Sequence, residues 1–367
     1  MFSFFHRLYR NETRIPFIAR RKWFYLASGL LIVIFALSFA FRGFNEGVEF
    51  AGGTQFQIPV SGTSITTDQV STAFDNAGHA SAEPPQQVGS GSTRQIIVKT
   101  ESLTADNGNG LKTKVAQELG LKPSAITDTT VSSSWGHDVT VKAIEGLIIF
   151  LIAVSIYIAV RYQWRMTVGG VLALIHDLVV TAGVYSLVGL QVTPSTIVGL
   201  LTILGFSMYD TVVVYDKVAE NAKNILAGTR MTYSEAANLA VNQTLMRSIN
   251  TSLVALLPVA GLLFVGVGLL GVGTLEDLAL VLFVGLASGA YSSLFLATPI
   301  VVDLTEREPH YKQLTRRVMA KRASEAKKLA DGDLVASAAG ASVGAPRSAG
   351  KPAPAPRPGA RPQRRRK

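Results

Sequence analysis

The sequence predicts a polytopic α-helical membrane protein with six transmembrane helices and a small α+β extracytoplasmic domain between the first and second of them. Three observations predict it. The 367 residues are 48% hydrophobic against 16% charged, with a mean hydropathy of +0.31, a balance too apolar for a water-soluble protein of this size. Six apolar segments are each long enough to cross a hydrocarbon layer about 30 Å thick. The one long polar interval, Arg42 to Ala143, alternates strand-like and helix-like patterns.

Residues 1 to 22 form a basic N-terminal segment, and the first span follows at 23 to 41. Its apolar run exceeds that of a secretory leader and lacks a small-x-small cleavage site, so it reads as a retained anchor. The remaining spans are 144 to 160, 168 to 190, 195 to 214, 253 to 270 and 278 to 302. Residues 215 to 252 read as a cytoplasmic connection, in which Tyr233 to Leu245 has the pattern of an amphipathic helix at the membrane surface. With a cytoplasmic N-terminus, the inside segments 1 to 22, 161 to 167, 215 to 252 and 303 to 367 carry 28 of the 35 Lys and Arg residues. The short outside loops, Gln191 to Pro194 and Val272 to Asp277, carry none, as the positive-inside rule requires, and both termini are expected in the cytoplasm.

The outside interval, 42 to 143, holds seven Lys and Arg against ten Asp and Glu. An extended run at Gly53 to Val60 precedes a helical pattern at Thr67 to Ala77, with Val70, Ala73, Phe74 and Ala77 on one face. A strand at Gln95 to Lys99, a helix at Leu111 to Leu119 and a strand at Ile126 to Val131 complete an α+β sandwich with helices on one face of a sheet. Residues 303 to 367 form a basic tail, expected to be largely disordered from about Val335 and ending in Arg364, Arg365, Arg366 and Lys367. Such a stretch attracts anionic lipid at about 1 kcal/mol per basic residue near the surface. Specific nucleic-acid binding is not expected. Glycines at 266, 268, 271 and 273 predict close helix approach or a bend at the end of the fifth span.

Composition excludes several kinds of chemistry. Without cysteine there is no disulfide, thiolate nucleophile or thiolate metal site. No phosphate-cradling loop of the Gly-x-x-x-x-Gly-Lys-Ser/Thr kind is present, and five scattered histidines do not make a ligand set. No catalytic residue, metal or cofactor is expected, and the chain does not read as an enzyme. Work done by such a protein must draw on another source. A charge crossing 100 mV supplies about 2.3 kcal/mol.

Ionisable residues inside spans are costly and therefore informative. Asp177, after His176 in the third span, lies about nine residues from the cytoplasmic end, roughly 13 Å at 1.5 Å per residue. Asp210 lies near the cytoplasmic end of the fourth span, with Ser207 and Tyr209 adding polarity beside it. Two antiparallel helices would bring the carboxyls to neighbouring levels. Removal from water disfavours the charged form of a carboxyl, so each is a candidate proton switch, while a plain interhelical hydrogen bond would equally account for either. Arg247 stands before the fifth span in the run Arg247 to Ser252, which includes Asn250, and is either an inward counter-charge or a topology anchor.

Two motifs carry a family resemblance. The stretch from Gly205 to Asn221, GFSMYDTVVVYDKVAEN, resembles the fourth-span signature of the SecF family of protein-export membrane subunits. Gly47, Val48, Glu49, Phe50, Ala51, Gly52 and Gly53 resemble that family's Gly-x-Asp-Phe-x-Gly-Gly motif after the first span, with Glu49 in place of the usual Asp. Segments ending at Asp177 and around Arg247 are also similar, and the likeness covers about residues 20 to 305. It implies a subunit of the resistance-nodulation-division superfamily that pairs with SecD, with a YajC-like accessory subunit as a further partner. Such a subunit promotes late translocation of preproteins through SecYEG across the bacterial plasma membrane, using the proton-motive force. It implies a ferredoxin-like outer domain, Asp210 as principal proton-relay carboxylate, Arg247 as its cationic partner, and Asp177 and His176 in support. Two alternatives stay open: a small-molecule efflux transporter, against which the single six-span half argues, and a passive scaffold in which the carboxylates serve assembly.

Overall fold

The computed structural model describes residues 15–79, 81, 85–88, 94–267 and 276–341. Six helices are long and apolar enough to cross a membrane among the described residues, beginning at Ile18, Ser134, Trp164, Pro194, Tyr233 and Glu276. The first, α1 (Arg21–Arg42), follows one 3-10 turn and ends at Gly43. Strand β1 (Asn45–Glu46) and a single helical turn α2 (Val48–Ala51) then lead into the outer domain.

That domain runs β2 (Gly53–Pro59), α3 (Thr67–Asn76), β3 (Gln86–Val88), β4 (Gln95–Thr100), α4 (Ala105–Glu118) and β5 (Thr127–Val131). The sheet order is β3-β4-β2-β5, every neighbour antiparallel, which is the ferredoxin-like arrangement. Alternation decides its two faces. Phe56, Ile58, Ile96 and Val98 turn to the helices and pack with Val70, Ala73, Phe74, Leu111 and Val115, while Gln55 and Lys99 turn to the other face. Thr66 and Gln69 form a reciprocal cap that starts α3. Strand β3 has no counterpart in the sequence reading, because three residues on a sheet edge are too few for a period to register.

The second span belongs to α5 (Ser133–Arg161), which begins well before residue 144. Gly136 permits this early start: a β-carbon there would lie 2.5 Å from the Phe50 carbonyl oxygen. Next come α6 (Trp164–Val188), β6 (Gln191–Val192) and α7 (Pro194–Asn221), the last capped by Thr193 with Thr196 and opened by Pro194. The amphipathic surface helix expected at Tyr233 to Leu245 is instead the first half of α8 (Tyr233–Ala260), which runs unbroken into the fifth span. Ala237, Ala240, Val241 and Leu245 pack with Val214, Tyr215 and Val218. Periodicity alone cannot distinguish a face buried in protein from one laid on lipid.

A π-helical segment (Gly261–Val267) continues α8 beyond Pro258; residues 268, 271 and 273 lie outside the described residues. The sixth span comprises α9 (Glu276–Ser292), a π-helical turn (Ser293–Ala297) and α10 (Thr298–Glu306). Arg21 pairs with Asp303 at 3.0 Å and Tyr25 donates to the same carboxylate at 2.7 Å, fastening α1 to α10. The chain divides into one compact unit through Thr315 and a second from Arg316. Helix α11 (Pro309–Ala341) extends past the expected boundary at Val335, and the rest of the basic tail lies outside the described residues.

Helices α6, α7 and α9 form the centre of the bundle. Lipid tails are as apolar as leucine, so spans associate through close packing, which small residues permit. Along α7 and α9 the small and large residues are matched at four-residue steps: Gly199 faces Val281, Ile203 faces Gly285, and Ser207 faces Gly289. A β-carbon on Gly289 would come within 2.9 Å of the Ser207 β-carbon. This contact line brings serines of α7 and α9 onto one level.

Candidate functional site

At that level Asp177 of α6 is fully buried and accepts three serine hydroxyls. Ser288 donates to Oδ1 at 2.7 Å, and Ser207 and Ser292 donate to Oδ2 at 2.6 and 2.7 Å. His176 Nδ1 lies 3.3 Å from Oδ1, and its Nε2 is buried without a partner. Asp210, one turn along α7 from Ser207, is also buried, accepting from Ser248 of α8 at 2.7 Å and from Ser293 at 2.6 Å. The two carboxyls are thus tied through adjacent residues, Ser292 and Ser293, at the entrance to a π-helical turn. Such turns recur at functional sites in helices.

Of the residues singled out in the sequence, His176, Asp177, Ser207 and Asp210 are brought together here. Arg247 is not. It is exposed, and its Nη2 donates to the exposed Tyr209 Oη at 3.2 Å. Successive residues of a helix point about 100° apart, so Arg247 and Ser248 cannot both face Asp210, and the packing of α8 turns Ser248 inward. Asn250, three positions on, is exposed on the side of Arg247. The sequence reading missed Ser248, Ser288, Ser292 and Ser293 as partners. A signal existed in the four-residue spacing of Ser288 and Ser292 around Gly289, which places both hydroxyls on one helical face.

The motif after the first span joins the outer domain to these helices. Gly52 and Gly53 adopt φ of 77° and 124°, and a β-carbon on Gly53 would meet the Thr100 carbonyl oxygen at 2.6 Å, so strand β2 can start only from glycine. Gly47 N–H donates to the Val192 carbonyl at 2.8 Å, and the Glu49 carboxylate folds back over Gly47. Phe50 contributes the carbonyl that Gly136 accommodates. Strand β1 pairs in parallel with β6, which is the connection between α6 and α7. Lys99 Nζ donates to Asn45 Oδ1 at 2.7 Å and to the Glu46 carbonyl at 2.5 Å. The helices bearing Asp177 and Asp210 are therefore laddered directly to the outer domain's entrance.

Comparison with known proteins settles the family. A model described as protein export membrane protein SecD/SecF, C-terminal, matches residues 111–307, and the SecD/SecF GG motif matches 37–64. The chain belongs to the SecD/SecF family. It is 46% identical over 322 residues to protein translocase subunit SecF of Streptomyces coelicolor, covering 88% of this chain and 85% of that one. The corresponding subunit of Mycobacterium tuberculosis is 45% identical over 329 residues, with 88% and 74% covered. Among solved structures, SecDF of Thermus thermophilus, described as translocon-associated, superposes with a TM-score of 0.72 at 31% identity, covering 81% of this chain. The chain spans 39% of that SecDF chain.

Proposed function

We propose that this chain is one six-span half of a proton-driven export device, working with SecD to promote late-stage movement of preproteins through SecYEG across the bacterial plasma membrane. The observation that carries the reading is the pair of buried intramembrane carboxyls whose described side-chain partners are hydroxyls and one histidine, with no cationic side chain bonded to Asp210. An uncompensated charge in that setting is costly, and a proton is the smallest ligand that removes it. Asp210 carries the coupling proton. Its gain and loss switch the hold of Ser248 and Ser293, and the ladder between β1 and β6 passes the shift in α7 to the outer domain. Arg247 and Tyr209 form a polar outward face that the SecD spans cover, so Arg247 acts across that boundary and not as the buried counter-ion of Asp210. The charge distribution supports cytoplasmic termini. The device has no catalytic chemistry.

The test is export of a preprotein into inverted membrane vesicles with and without an imposed proton gradient, comparing the parent chain with Asp210→Asn. Loss of the gradient-dependent part alone is the expected result. A full gradient response in Asp210→Asn would remove this residue from the coupling path.

A further inference from the structure

Beyond the carboxyls, toward the Trp164 end of α6, four buried hydroxyls among the described residues have no hydrogen-bond partner: Thr167 on α6, Tyr215 on α7, and Thr298 and Thr305 on α10. His176 Nε2 is a further such atom, at the level of Asp177. An unsatisfied polar atom in a packed interior is unfavourable, and buried atoms of this kind are normally satisfied by internal water. Their placement is ordered. Tyr215 follows Asp210 by five residues, about 7.5 Å of α-helix at 1.5 Å per residue, and Thr298 follows Ser293 across the π-helical turn.

Three helices converge on the Tyr215 hydroxyl. A β-carbon on Gly169 of α6 would lie 2.8 Å from Tyr215 Oη and 3.0 Å from the carbonyl oxygen of Ala297, the residue before Thr298. On its other side the Tyr215 ring meets Tyr162 edge-on, with centroids 6.0 Å apart. Tyr162 in turn lines a cavity of about 790 Å³ at this end of the bundle, together with Arg161, Asp216, Glu220 and Lys223. Its hydroxyl donates to Asp216 Oδ1 at 2.7 Å, and burial together with that carboxylate pushes the phenol's pKa up. The polar vestibule and the unpaired hydroxyls thus lie end to end.

We infer that Tyr215 is the throat of a hydrated proton exit that leads from the serine-held carboxyls to this vestibule. Internal waters on His176 Nε2, Thr298, Tyr215 and Thr167 pass a proton by exchange. Each water accepts on one side and donates on the other, so Tyr215 stays protonated and nothing is oxidised or reduced. The inference rests on the proposed role of Asp210 as the coupling residue.

Radiolytic hydroxyl labelling of the full chain, assembled with SecD in nanodiscs, tests for the water. Tyr185 is the internal control, being equally buried but with its hydroxyl donated to the Asp277 carbonyl at 2.6 Å. Tyr215 is expected to label about tenfold faster than Tyr185, because radicals form from water held beside it. Equal rates would mean a dry hydroxyl and overturn the exit. In the vesicle assay, Tyr215→Phe is expected to lower the gradient-dependent part of export about tenfold, equivalent to about 1.4 kcal/mol. A full response in Tyr215→Phe alongside a lost one in Asp210→Asn would overturn the exit alone, whereas a full response in Asp210→Asn would overturn the reading beneath it.

Discussion

Asp177 and Asp210 occupy neighbouring helices and neighbouring levels, yet they are held in different ways. Asp177 is clamped by three serines, one from α7 and two from α9, the helices with the closest small-residue packing in the bundle. Asp210 has one donor on the peripheral α8 and one at the mouth of a π-helical turn. The first arrangement holds a carboxyl between two closely packed helices; the second holds one between α8 and the π-helical turn. Burial alone does not make a switch, and what the carboxyl's partners are attached to decides whether a change of charge can move anything.

The largest effect expected from this contrast is that of Asp210→Asn, which should abolish the gradient-dependent part of export in the vesicle assay. Gly289→Val should follow. Its side chain meets the Ser207 β-carbon, overpacking that costs up to about 3 kcal/mol, and a lower melting temperature in detergent is the readout. Asp177→Asn replaces one accepting oxygen by a donor within the serine clamp and should cost about 2 kcal/mol of stability. It should also retain more of the gradient response than Asp210→Asn does; the opposite ranking would break the comparison. The smallest effect belongs to Ser248→Ala, which leaves Ser293 in place and should lower stability by about 1 kcal/mol in the same melting measurement.

Much of this was legible in the residues. Spans announce themselves by length and apolarity, and a carboxyl inside one is rare enough to stand out, so Asp177 and Asp210 were readable without a partner. Their serines were not, because a serine in a membrane helix commonly bonds its own backbone and carries little cost. Arg247 drew attention by its charge, whereas Ser248 beside it makes the contact. Similarly, Tyr233 to Leu245 had an apolar face with two readings, and only the neighbour that covers it separates them.

The sequence by itself determined the membrane class, the outer α+β domain, the family and the two intramembrane carboxyls, since solvent and charge act on each residue where it stands. Tertiary structure alone decided the rotation of α8 that turns Ser248 inward and Arg247 outward. It also decided the meeting of Ser207, Ser288 and Ser292 on Asp177, and the ladder joining β1 to β6. These depend on helix phase and on close approach between segments more than a hundred residues apart, which are settled by packing and leave no local trace.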